Sequence, residues 1–314
     1  MYDLSPRKLK TAASGKLAQA TYDPGKLALL HSLPLVFVLV LDVVFYLLDL
    51  QIAKTGGLAG MGTRTALESV QMVLNLAYSL VLPFWQVSFA LCALNLARGK
   101  AATPTDFPEG FRRLGPVLRL FLTEAIIYIL VIMVAANAAS VIFVMTPYAD
   151  RMMAAMEPMM QTGVMDEAAV EAMLPHMTPL YVIMVPVLLG LCIPVFYRLR
   201  FIRFAIMDAH KMGALAAVRL SWGMSRGNRW KLCKIDLSFW WYYLLQGIAL
   251  LLTDGGYYLT LLGVALPLPQ IVTTLIFRVV GIGISLLVAW RYQSYVETTF
   301  ATAYDTILTP PTEQ

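Results

Sequence analysis

The sequence predicts an all-α, polytopic membrane protein with six transmembrane helices and amphipathic helices on the cytoplasmic side. Three observations carry that prediction. Apolar residues make up 59% of the chain and charged residues only 14%, against roughly 45–50% and about 25% in soluble domains. The apolar residues gather in runs near the length, about 20 residues, that a helix needs to cross a bilayer. Lysine and arginine favour alternate connections: segments 1–26, 98–113 and 198–231 hold five, four and eight, whereas 51–65, 147–178 and 253–268 hold two, one and none. By the positive-inside rule the first set, together with both termini, faces the cytoplasm.

Residues 4–20 read as a short helix, with Ser5 placed to cap it and Pro6 suited to its first position. Leu4, Leu9 and Leu17 give it an apolar face and Arg7, Lys8, Lys10 and Lys16 a basic one; such a helix is expected to lie on an anionic membrane surface. Span one covers 27–50. A glycine-containing connection leads to span two, 66–97, which is too long for one upright crossing and carries Pro83. The basic connection after it contains FPEGFRRLG, a short helix expected to start behind Thr105-Asp106 and to end at Gly115-Pro116.

Span three covers 117–146. The following segment, 147–178, is acidic and methionine-rich, with Asp150, Glu157, Asp166, Glu167 and Glu171 against Arg151. Span four, 179–207, ends in the basic tract YRLRFIRF. The stretch RLSWGMSRGNRWKLCKIDLSFWWYYLL, from Arg219, turns a basic amphipathic segment into span five, 232–252. Its Trp240, Trp241, Tyr242 and Tyr243 suit the membrane–water boundary. Asp254-Gly255-Gly256 turns the chain toward span six, 269–291.

The order basic helix, span, span recurs, which suggests repeat-like units 1–100, 101–211 and 212–314. The even spans also leave the membrane alike, through FWQVSFALCALNLARG, FYRLRFIRFAIMDA and WRYQSYVETTFATAYD, each aromatic at its start and amphipathic at its end.

The tract with Ser221, Met224, Gly227-Asn228, Lys231-Leu232, Leu237-Ser238-Phe239 and Trp241, followed by Tyr295, Thr299, Ala301 and Tyr304, resembles a bacterial membrane family, domain of unknown function nine-seventy-five. The resemblance lies mainly in residues 212–307. Asp236, where an apolar residue is expected, and a long 250–268 connection depart from it. It implies a six-span protein of the bacterial plasma membrane and supplies no activity, substrate or catalytic residue.

Charge within a span is the first pointer to function. Asp42 lies 16 residues past Lys26 and Arg278 lies 13 before Arg291. At 1.5 Å per residue both sit about 20–24 Å from the cytoplasmic boundary, so a pair between spans one and six is expected. His31, Glu124 and Asp236 occupy comparable places early in spans one, three and five, with Arg119 nearby; they read as interfacial caps or as the lining of a cytoplasmic vestibule. Asn75, Gln86, Asn137 and Gln246 read as polar glue between helices, and Gly281-x-Gly283 as close helix packing.

Met152, Met156, Met159 and Met160 share a helical face. This suits an apolar lid on the outer leaflet better than a thioether Cu(I) site. No metal or cofactor is expected: Cys92, Cys192 and Cys233 are isolated and the three histidines lack ligand spacing. No cleaved signal peptide is expected, nor nucleic-acid binding, since the cations flank apolar runs. Motifs for nucleophilic, zinc or nucleotide chemistry are missing from the sequence, so an enzyme is not expected. The expected partners are membrane lipids, with anionic headgroups at the cytoplasmic face, and a protein partner. Two functions fit: binding or transport of a lipid-like or small amphipathic substrate, including assistance to an exporter, or a non-transporting scaffold or regulatory protein acting through its amphipathic helices.

Overall fold

A computed structural model describes residues 3–55, 57–162, 167–209, 212–261 and 270–309, and among them every regular element is helical. In order these are α1 (Pro6–Ala18), α2 (Pro24–Thr55), α3 (Gly57–Ala97), α4 (Pro108–Arg112), α5 (Leu114–Val144), α6 (Pro147–Thr162), α7 (Glu167–Leu199), α8 (Ile202–Asp208), α9 (Ala214–Ser225), α10 (Arg229–Leu237), α11 (Trp240–Thr253), α12 (Gly255–Leu261), α13 (Gln270–Val288) and α14 (Ser294–Leu308). A π-helical turn, Ala289–Gln293, joins the last two. The chain divides into two compact units, Met1–Leu118 with Phe201–Gln314, and Arg119–Arg200.

Among the described residues, five helical stretches are long and apolar enough to cross a membrane: Pro24–Ile52, Gly62–Ala97, Leu114–Val144, Thr178–Asp208 and Val272–Leu308. Their apolar side chains remain largely uncovered by protein; Phe37, Leu76 and Val134 are about 60% exposed. Uncovered apolar surface on this scale calls for a lipid solvent. Span five departs from the expected straight helix. Its residues form α10 and α11, bent by 61° at Ser238-Phe239. The chain bends because Ser238 folds its hydroxyl onto the Ile235 carbonyl and Lys10 draws off the Ser238 carbonyl, so both groups are satisfied outside an unbroken ladder.

The protein core of the first unit lies where the spans give way to the basic segments. Phe201, Phe204, Phe300 and Tyr304 are almost fully buried there, with Ile202 and Ile206. Each such side chain contributes about 1.5–3 kcal/mol on burial. A second cluster joins Leu27 and Ala28 of α2 to Phe89, Cys92 and Leu96 of α3 and to Phe107. The leading helices pack on the exit helices: α4 on α3, α9 on α8, and α1 on α14.

Three local expectations change. The face of α1 formed by Leu4, Leu9 and Ala13 is buried within the chain, against α14, α3 and α10, so protein rather than bilayer covers it. Asp106 accepts the Thr103 N–H at 2.9 Å and so caps a separate 3-10 turn, Pro104–Asp106, whereas α4 begins after Phe107 without a side-chain cap. Gly115-Pro116 opens α5 instead of ending α4, because proline is tolerated in a first helical turn. In the second unit, residues 147–162 form α6, packed on α7. Met152 and Met156 are half-buried on it; Met159 and Met160 have helical backbone, but their side chains lie outside the described residues, as does Met165.

Candidate functional site

Glycine ends α3. Gly99 has φ +67°, and the Gly99 and Lys100 N–H groups return to the Leu96 and Asn95 carbonyls at 3.0 and 2.8 Å. This pairing is a Schellman motif, and it leaves Arg98 as the last residue before the turn. Its guanidinium donates to Asp305 from Nε at 3.1 Å and from Nη2 at 2.7 Å, and to Asp208 from Nη1 at 2.5 Å. The Tyr304 hydroxyl donates to the other oxygen of Asp208 at 3.2 Å, and its ring packs 5.8 Å from both Phe201 and Phe204.

A carboxylate at the C-terminus of α8 opposes the helix dipole. Arg98 and Arg113 offset this; Arg113 donates to the Ile206 and Met207 carbonyls at 2.9 and 3.1 Å. The hydrogen bonds to Asp208 and Asp305 raise the pKa of Arg98 further, so its charge is permanent. The cluster thus ties together the ends of the three exit tracts. Sequence reasoning missed it; the one hint was that each tract closes on a charged residue, which by itself does not separate a paired charge from a solvated end.

Ser88 performs a similar task for α4. It donates to the Phe107 carbonyl at 2.6 Å and accepts the Gly110 N–H at 3.0 Å. A Cβ on Gly110 would meet the Phe84 carbonyl oxygen at 2.2 Å, so only glycine lets α4 approach α3 this closely. The first helix is held by Lys10, whose ammonium donates to the Ser238 carbonyl at 2.6 Å and lies 3.9 Å over the Phe239 ring. Burial there lowers its pKa.

The third feature is an open cleft of about 420 Å³ between the α1–α2 junction and the π turn. Asp23 caps α2, accepting the Gly25 N–H at 2.8 Å, and Ser294 donates to the Pro24 carbonyl at 2.5 Å. Gly25 admits Trp290, since a Cβ there would lie 2.3 Å from the indole. One extra residue in the π turn widens the helix, and such turns recur at functional sites. Here Trp290, Arg291 and Tyr292 line the cleft with Asp23 and Tyr295. Arg291 is exposed and enters no ion pair among the described residues.

The residues singled out from the sequence are distributed differently. Asp42 accepts a long hydrogen bond from Gln71 at 3.4 Å. Arg278 lies 5.8 Å over the ring of Tyr46, one turn beyond Asp42 on α2, and its buried Nη1 has no hydrogen-bond partner among the described residues. The ion pairs within 4 Å among the described residues do not join Asp42 to Arg278. His31 stacks on Phe89 at 4.2 Å, whereas Asp236 accepts the Tyr243 hydroxyl at 2.6 Å. Glu124 and an exposed Arg119 belong to the second unit.

Gln246 and Ser285 bond reciprocally between α11 and α13, with the Ser285 hydroxyl 2.8 Å from the amide oxygen. Asn137 instead bonds within its own helix, to the Met133 carbonyl. Gly281 packs against Thr253 and Ala249, within 2.7 Å of a notional Cβ, while Gly283 has open space around it. Among the described residues no group of three or more His, Cys, Asp or Glu side chains is arranged to hold a metal ion.

None of the curated proteins and none of the solved structures compared with the chain matches it. Residues 27–310 match the family described as Protein of unknown function (DUF975). With that match covering most of its length, this chain of long apolar helices belongs to that family.

Proposed function

We propose that this protein sits in the bacterial plasma membrane, with six crossings and both termini in the cytoplasm, and binds or moves a lipid-like or small amphipathic substrate. The sixth crossing is the bent pair α10–α11. In this reading units 1–100, 101–211 and 212–314 are repeats, and their leading helices form a basic collar on the cytoplasmic face. Clustered lysine and arginine at a membrane surface attract anionic headgroups, so the collar concentrates such lipids around the protein.

The observation that carries the reading is the cleft at the π turn. It opens where the apolar residues of α13 end and those of α2 begin, with aromatic walls and an exposed arginine that has no ion pair among the described residues. Its volume is in the range of small-molecule sites, about 300–1,000 Å³. The test is purification from native membranes in mild detergent, with lipid analysis against the bulk membrane, followed by flux of fluorescent lipid analogues in liposomes. Selective retention supports binding, and flux above empty liposomes supports transport. Retention that mirrors the bulk, without flux, overturns the proposal.

A second reading, a scaffold or regulatory partner, is favoured by α9. Its Ala217, Ser221 and Met224 are buried while Leu215 is 63% exposed and Trp222 39%. Capture of one defined partner that is lost on deleting residues 212–229 would support it.

A further inference from the structure

The chemistry of the cleft goes further than a generic lipid site. This step rests on the reading above and narrows its substrate class. Four features meet there: the exposed Arg291, the Asp23 carboxylate, the rings of Trp290, Tyr292 and Tyr295, and a position beside the last apolar residues of α13. A cleft selecting purely anionic headgroups has no use for a carboxylate on its wall. Asp23 would repel a second negative charge, and a neutral asparagine would cap α2 equally well.

Asp23 uses Oδ1 for the Gly25 N–H, which leaves Oδ2 for another donor. An arginine prefers a phosphate, which its planar fork engages in two parallel bonds. Aromatic faces attract ammonium groups. Opposite charges within one cleft therefore match a ligand that carries opposite charges a few bonds apart.

We infer that the cleft holds the headgroup of a phospholipid bearing both a phosphate and a primary amine, of the phosphoethanolamine type. The phosphate sits on Arg291. The ammonium donates to Asp23 and lies against the aromatic rings, and the acyl chains run along the exposed apolar faces of α13 and α2. The N–H donors separate it from a choline headgroup, whose quaternary nitrogen has no proton to give to Asp23. The same headgroup chemistry exists free in water as glycerophosphoethanolamine, but the boundary position of Trp290 and the exposed Leu287 beside it assign the acylated form.

The experiment uses the full chain in nanodiscs containing phosphatidylethanolamine, phosphatidylglycerol and phosphatidylcholine in equal parts, with retained lipid read by native mass spectrometry after detergent release. Phosphatidylethanolamine should be retained about tenfold above the other two, the value of one charge-assisted hydrogen bond. Arg291→Gln should abolish the retention. Asp23→Asn, which preserves the helix cap, should erase the preference for ethanolamine over glycerol while leaving some binding. Soluble glycerophosphoethanolamine at millimolar concentration should displace little of the lipid.

Preference for phosphatidylglycerol, lost with Arg291→Gln, overturns the amine assignment and leaves the lipid-binding function standing. Retention of phosphatidylethanolamine unchanged in both variants, each eluting as the parent does, overturns the site alone. Full displacement by the soluble compound overturns the lipid source. Absence of any selective retention overturns this inference and the function it rests on together.

Discussion

Arg98 holds Asp305 across 207 residues of sequence with three hydrogen bonds of 2.7–3.1 Å, and it reaches Asp208 with its remaining terminal nitrogen. All three side chains are about one-fifth to one-quarter exposed, so solvent screens the cluster only in part. Arg98→Ala leaves two carboxylates facing each other and should destabilise the protein by about 2–3 kcal/mol. Arg98→Lys keeps the charge but loses the planar fork, and should recover less than half of that. Thermal unfolding in detergent measures both. A double-mutant cycle with Asp305→Asn should give a coupling of about 1–2 kcal/mol.

Gly281 and Gly283 provide an internal control for helix packing. A Cβ at 281 meets Thr253 and the Ala249 carbonyl within 2.7 Å, whereas at 283 it meets nothing. Gly281→Val should therefore cost about 1–3 kcal/mol through overpacking, while Gly283→Ala should be neutral or slightly stabilising through helix propensity. Equal effects in thermal unfolding would show that α11 and α13 do not pack as described.

Ser88 is fully buried and joins three backbone groups. Ser88→Ala strands the Gly110 N–H without its partner, a loss of about 1–3 kcal/mol. Hydrogen exchange should accelerate across residues 102–112 in this variant. Ser79→Ala is the comparison, because its hydroxyl bonds only within its own helix, and should leave exchange unchanged.

The proposed topology rests on the distribution of charge and is open to labelling. In a background lacking Cys92, Cys192 and Cys233, Ala12→Cys on α1 should react with a membrane-impermeant maleimide only in inverted vesicles. Tyr148→Cys on α6, a site 43% exposed, should react in intact cells. The reverse pattern would invert the orientation. Reaction of both from one side would show an even number of crossings between them, against the three proposed.

The sequence by itself determined the helical class, the apolar stretches of the five membrane-length helices, the family, and the short helix behind Ser5. These are local properties: hydropathy, capping residues and aromatic flanks act over one or two turns and need no distant partner. Close packing read for Gly281 and Gly283 together held for Gly281 alone, since Gly283 has open space around it and only the neighbouring helix decides which small residue is used. Only the tertiary structure decided which charges meet. Arg98, Asp208 and Asp305 each close an amphipathic tract, but nothing local distinguishes them from solvated ends. The 61° bend between α10 and α11 depends on Lys10, 228 residues away from the carbonyl it caps. The cleft likewise exists because a π turn near one end of the chain lies against a glycine near the other. Contacts of that range are selected by the packing of the whole unit, and hydropathy carries no record of them.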